Sequence, residues 1–169
     1  MSDLAERVIT VMTERTLSLA TAESLTGGLI GATLTGVPGA SRTYLGGTIA
    51  YASRLKTDLL GVSDELIDRV SVISEEVALA MAVGLQERTD ADWVVAVTGV
   101  AGPTPQDGHE AGEVYVCVRG PVIPSLEPVT RVERYQFEGD RAAIRTQTVD
   151  AALKLLLGAL AHLHRHHPL

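Results

Sequence analysis

The sequence predicts an α/β protein, a three-layer α/β/α sandwich built on a mixed sheet of about five strands. Three observations carry that expectation. Helix-like segments precede each of the three strand-like segments up to about Gly99. DWVVAVTG, Asp92 to Gly99, is nearly all apolar, as in a strand buried on both faces of a sheet. The last two strand-like segments, EVYVCVRG and VTRVERYQF, have no helix between them, which suits an antiparallel pair.

In chain order, Leu4, Val8, Val11 and Met12 recur at helical spacing between Ser2 and about Arg15, with Ser2 or Asp3 as the cap. LSLATA, Leu17 to Ala22, reads as a strand, and GGLIGATLTG, Gly27 to Gly36, as a short helix of small residues. Val37 to Ser41 is a turn, and Tyr44 to Ala52 a glycine-containing strand. Ser53 caps a helix through Lys56 and Leu60 that Gly61 stops, Ser63 caps DELIDRV, and Ser74 caps EEVALAMAVGLQERT. The acids in that last helix's first turn suit its dipole. Beyond the third strand lies a loop rich in Gly and Pro, VAGPTPQDGHEAG, and PVIPSLEP joins the two late strands. The final helix begins near Asp140, and the His-rich residues 162–169 form a frayed tail.

At 169 residues and 46% hydrophobic, with no internal repeat or linker, the chain reads as one domain over residues 1–169. Aromatic residues make up only 4%, which disfavours a stacking platform for single-stranded nucleic acid. A net charge of -7 provides no basic field for a phosphate backbone, so no nucleic acid partner is expected, although local arginines can still hold a small anion. The lone cysteine, Cys117, excludes an internal disulfide and fits a reducing compartment. The N-terminus lacks a signal-peptide pattern and no apolar run reaches membrane-spanning length, so a cytoplasmic protein without membrane contact is expected.

Ligands in open α/β sheets collect beyond the carboxyl ends of strands, where AESLTGG, YASRLK and TGVAGP all stand. Two readings of Ser24 are open at this level. It is a helix cap, or it is a nucleophile with the N–H groups of Thr26, Gly27 and Gly28 aimed at a developing oxyanion. A nucleophilic serine needs a base, and Lys56, with Tyr51 five residues before it, is the candidate if burial lowers its pKa; otherwise Lys56 is a solvated helix charge. TGVAGP has a backbone able to wrap a carboxamide or phosphate, or is a plain tight turn. Arg141 and Arg145, four apart on one helix face, hold a phosphate together or pair with Glu138 and Asp140. His162, His164, His166 and His167 have no companion ligands at useful spacing, so no metal site is expected.

Six blocks in order, TAESLTGG, GGTIAYASRLKTDLLGV, SVISEEVALAMAVG, ADWVVAVTGVAGP, GEVYVCV and FEGDRAAIR, resemble the CinA C-terminal domain family, the nicotinamide-nucleotide amidohydrolases. The resemblance runs from about Leu4 to Leu157. It implies an α/β/α sandwich with a mixed five-stranded sheet, and hydrolysis of the carboxamide of nicotinamide mononucleotide (NMN) to nicotinate mononucleotide and ammonia. By match to the family's motifs, Ser24 is the nucleophile and Lys56 and Tyr51 its activating partners. Glu23, Thr26, Gly27, Gly28, Thr98, Gly99, Ala101 and Gly102 belong to the substrate site, and Arg141 and Arg145 stand where an arginine is expected near the substrate phosphate. No metal or organic cofactor is implied, and a homo-oligomer is.

Two departures accompany the resemblance. Ala52 and Ser53 follow Tyr51 where the family often has Ser-Asn, and TPQDGHEAG lacks the family's usual lysine, with His109 or Glu110 roughly in its place. Two alternatives therefore stand beside NMN hydrolysis: a non-catalytic nucleotide- or protein-binding module in a competence or DNA-damage response, and an amidase acting on a different amide.

Overall fold

The computed structural model describes Ser2 to His166, with side chains from Asp3 to Ala161. The elements are α1 (Ser2–Glu14), β1 (Leu19–Glu23), α2 (Leu29–Thr35), a 3-10 turn (Ala40–Arg42), β2 (Tyr44–Ile49), α3 (Ser53–Leu60), α4 (Asp64–Val70), α5 (Glu75–Thr89), β3 (Trp93–Gly99), β4 (Glu113–Arg119), β5 (Thr130–Gln136) and α6 (Arg141–His166). One five-stranded sheet has the order β2-β1-β3-β4-β5. β1 pairs parallel with β2 and β3, and β4 pairs antiparallel with β3 and β5. The predicted mixed sheet is present, and its late antiparallel pairing agrees with the absence of any helix between β3, β4 and β5.

Strand periodicity divides the core into two layers. Leu19, Trp93, Val95, Val97, Val114, Val116 and Val118 face α1, α2 and α6. Their neighbours Ala20, Ala22, Val94, Ala96 and Cys117 face α3, α4 and α5. The second face is built from smaller side chains, so α5 lies close to the sheet. Burial pushes the Cys117 thiol up to about 12, which leaves it an inert part of that layer.

Several local expectations are corrected. α2 begins at Leu29 and not at Gly27, because Gly27 (φ 59°) and Gly28 (φ 96°) are left-handed and form the turn that precedes it. Ser24 therefore caps nothing. Glu23 does so instead, its carboxylate accepting the N–H groups of Ile30 and Gly31, each at 2.9 Å. Ser53 is the first residue of α3 and not its cap; Ala52 holds the cap position without a side-chain bond. Ser2 and Asp3 likewise lie inside α1. Ser63 and Ser74 cap α4 and α5 as expected, accepting from Leu66 and Val77. The Gly- and Pro-rich loop after β3 contains a tight hairpin: Gln106 and His109 exchange both backbone hydrogen bonds around Asp107 (φ 50°) and Gly108 (φ 82°).

The helical backbone of α6 continues to His166, through part of the segment expected to fray; His167 to Leu169, and the side chains of the other tail histidines, lie outside the described residues. Among the described residues, no helix is long and apolar enough to cross a membrane.

α3 and α5 meet backbone to backbone. A Cβ on Gly84 would stand 1.7 Å from the Leu60 carbonyl oxygen, so only glycine permits this approach. Gly84→Ala is expected to push α5 off the end of α3 and lower stability by about 1 to 3 kcal/mol. A drop in the urea midpoint at unchanged m-value would report it.

Candidate active site

The carboxyl ends of β1, β2 and β3 open into one cleft of about 470 Å³. Ser24 follows β1, Tyr51 to Lys56 follow β2, and Thr98 to Gly102 end and follow β3; all three segments line it. The three segments at the strand ends thus converge on one cleft.

Lys56 is the fourth residue of α3, and helical side chains lean toward the N-terminus of their helix. Its amine accordingly reaches back over the end of β2. Nζ lies 3.0 Å from Ser24 Oγ, 2.8 Å from the Ala50 carbonyl and 3.4 Å from the Tyr51 carbonyl. Lys56 is 2% exposed and Ser24 6%. All three acceptors are neutral, so no carboxylate offsets the loss of hydration. Burial lowers the Lys56 pKa from 10.5 to about 8.

Tyr51 behaves otherwise than expected. Its phenol accepts a hydrogen bond from Arg141 Nη2 at 2.7 Å, while only its backbone carbonyl meets Lys56. Arg141 also donates from Nη1 to the Gly102 carbonyl at 2.8 Å, linking the β2 and β3 sides of the cleft mouth. Of the two arginines expected near a phosphate, only Arg141 lines the cleft. Arg145 is spent on the turn that carries Ser24, donating to the carbonyls of Leu25 (3.1 Å) and Thr26 (2.8 Å).

The remaining expected substrate residues divide in the same way. Thr98, Gly99, Ala101 and Gly102 line the cleft, with Thr98 fixed by its hydroxyl donating to the Val72 carbonyl at 2.9 Å. Glu23, Thr26, Gly27 and Gly28 do not line it. They build the Ser24 turn: Glu23 caps α2, and the Gly27 N–H donates to the Ser24 carbonyl at 3.0 Å, which removes it from the expected oxyanion donors.

Two groups of lining residues escaped the sequence reading. Val72 and Ile73 come from the connection between α4 and α5, and Thr104, Pro105 and Gln106 from the 101–112 hairpin. The signal for the second was its divergence from the family pattern. Beside it, His109 Nδ1 lies 3.1 Å from Glu113, which also accepts from Arg134 at 3.0 Å and Tyr115 at 3.1 Å. Burial opposes the Glu113 charge, but these donors outweigh it and hold the carboxyl below its ordinary pKa. Among the described residues, no group of three or more His, Cys, Asp and Glu is placed to hold a metal ion.

Comparison with known proteins gives consistent matches. The sequence model of the CinA C-terminal domain matches residues 1–160. A CinA-like protein of Frankia casuarinae is 41% identical over 92% of this chain and 35% of its own length. The chain spans about a third of the length of the curated relatives it matches. It is similar in structure to the competence/damage inducible protein CihA from Agrobacterium tumefaciens, with a TM-score of 0.87 at 34% identity over 94% of each chain. A CinA superfamily protein from Klebsiella pneumoniae gives a TM-score of 0.89 at 30% identity, over 95% of this chain and 98% of that one.

The buried amine has a consequence for stability that is independent of catalysis. Between pH 8 and 10.5 an unfolded chain keeps the Lys56 proton that the folded chain has lost, so this residue's contribution makes stability rise with pH across that window. The full cost of burying the ammonium, on the order of 3 kcal/mol, is present below the window and gone above it. Denaturant titrations of wild type and Lys56→Met at pH 7, 9 and 10.5 are expected to show a stability difference that changes in wild type's favour as pH rises. A difference independent of pH would refute the lowered pKa.

Proposed function

The chain belongs to the CinA C-terminal domain family, and we propose that it is a serine amidohydrolase converting NMN to nicotinate mononucleotide and ammonia. The observation that carries the proposal is the 3.0 Å contact between Ser24 Oγ and the buried Lys56 amine at the floor of the cleft.

A serine hydroxyl is a weak nucleophile unless a base removes its proton as it attacks. Lys56 in its neutral form serves as that base, and its lowered pKa makes the neutral form accessible near neutrality. Ser24 Oγ bonds to the carboxamide carbon while its proton passes to Nζ along the existing contact. The C–N bond then breaks, and the nitrogen leaves as ammonia with the proton returned by Lys56. Water, deprotonated by the same amine, attacks the resulting ester, releases the carboxylate and restores the Ser24 hydroxyl. The backbone N–H of Leu25, next after the nucleophile, is the nearest candidate in sequence for an oxyanion donor.

Charge supports an anionic substrate. No carboxylate lines the cleft, whereas Lys56 and Arg141 do, in a chain of net charge -7. Arg141, at the mouth, suits the phosphate of NMN, and the Tyr51 phenol beside it suits the same end of the ligand and not proton transfer at Ser24. A volume of about 470 Å³ lies within the usual range for small-molecule sites. Names such as competence/damage inducible protein, borne by similar structures, favour a second reading as a binding module. Such a module has no use for a buried serine–lysine pair.

Incubation of the purified protein with NMN is expected to release ammonia and nicotinate mononucleotide. The rate should climb with pH and level off above an apparent pKa near 8, since the neutral amine is the active form. Ser24→Ala should abolish release while still binding NMN by calorimetry. Binding without turnover in wild type would favour the module, and turnover in Ser24→Ala would sink the serine mechanism.

The two arginines should separate kinetically. Arg141→Ala is expected to raise KM by about 10- to 100-fold, the loss of a charge-assisted hydrogen bond to phosphate. Arg145→Ala, which frees the Ser24 turn, should act mainly on kcat. Equal effects of both on KM would contradict this division.

A further inference from the structure

We infer that His109 is a positioning residue for the cleft: it fastens the 101–112 hairpin to the 71–73 segment and thereby fixes the spacing of the walls between which a ligand lies. The inference rests on the cleft being the substrate site.

Ser71 joins α4 to α5 with a positive φ of 73°, a conformation that a non-glycine residue adopts only when its surroundings hold it there. Those surroundings are visible. The Ser71 N–H donates to the Ile67 carbonyl at 2.9 Å, its carbonyl accepts from Ser74 Oγ at 3.0 Å, and its own Oγ accepts from the Ile73 N–H at 3.3 Å. The next two residues, Val72 and Ile73, are cleft wall. Thr98 secures Val72 from the sheet side.

His109 secures the same segment from the hairpin side, with Nε2 3.1 Å from Ser71 Oγ. Nδ1 is 3.1 Å from Glu113 Oε2. An ionised carboxylate only accepts, so the Nδ1 atom carries a hydrogen, and in the neutral ring Nε2 accepts from the Ser71 hydroxyl. Glu113 stands at the start of β4 and is held by Arg134 of β5 and Tyr115 of β4. A continuous line of hydrogen bonds thus runs from the sheet through the imidazole to Ser71. The hairpin turn at Asp107-Gly108 places His109 where it can complete that line, and Thr104 to Gln106 on the other arm of the hairpin line the cleft. The bridge thus ties the two walls of the cleft at a set distance through one imidazole.

The test uses His109→Ala, His109→Gln, Ser71→Ala and the His109→Ala/Ser71→Ala double variant of the full chain. For NMN deamidation, either alanine variant is expected to raise KM about tenfold with kcat within about twofold, and the double variant should be no worse than the more affected single variant, since the two side chains are halves of one bond. His109→Gln, whose amide supplies one donor and one acceptor, should recover most of the loss. An unchanged KM in His109→Ala, or additive losses in the double variant, would overturn the bridge.

Amide hydrogen exchange without ligand reads the bridge even if NMN proves not to be a substrate. His109→Ala should deprotect residues 71–73 together with 106–109, and His109→Gln should restore both. Loss confined to the hairpin would refute the inference while leaving the amidohydrolase proposal intact. Absent NMN turnover with coupled deprotection would do the reverse.

Discussion

A lysine amine withdrawn from water and held only by neutral oxygens is the constraint on which the site depends. Lys56 has a hydroxyl and two carbonyls for company and no counter-ion among them. Its ammonium form is therefore costly, and the cost is what makes a usable base of a residue that is otherwise protonated at neutral pH. Each neighbouring feature serves to keep that arrangement in place. β2 ends just before Ala50 and Tyr51, whose carbonyls receive the amine. α3 leaves the strand at once, so that its fourth residue points back. α5 approaches through Gly84 and presses on the end of α3 at Leu60.

The opposing half of the pair is held with equal economy of means. Ser24 sits on a turn whose two glycines are left-handed, whose preceding residue caps α2 and whose carbonyls are gripped by Arg145. Glu23 and Arg145 are charged groups turned to structural use beside the cleft, while Arg141, one helical turn away, remains at its mouth. The result is a cleft with cationic character and no carboxylate in its lining, inside an acidic protein. That contrast is the electrostatic basis for proposing an anionic substrate.

Much of this was legible in the sequence, and the parts that were not share a cause. The alternation of apolar segments gave the sandwich, the late uninterrupted strands gave the antiparallel pair, and Ser63 and Ser74 announced their helices. The convergence of Ser24, Lys56 and the Thr98 to Gly102 loop followed from their places at strand ends. The roles of Arg141 and Arg145 did not follow, because four residues on one helix face is a single prediction for two side chains that meet different partners. The family resemblance makes Tyr51 an activating partner of the serine, yet its phenol turns to Arg141 of α6. Ser71 and His109 are 38 residues apart, and no periodicity links them.

What the sequence determined by itself was the set of elements and the chemical kinds of residue at their ends, because hydrophobic period, caps and glycine turns are properties of neighbouring residues. What only the tertiary structure decided was which of those residues touch. Ser24 and Lys56 stand 32 positions apart, and their 3.0 Å contact exists because two parallel strands end side by side and a helix is packed at one particular distance behind them. Hydrogen bonds act over a few ångströms, whereas the pattern of a sequence sets direction and burial to within a helical turn; the difference between those two lengths is settled by packing.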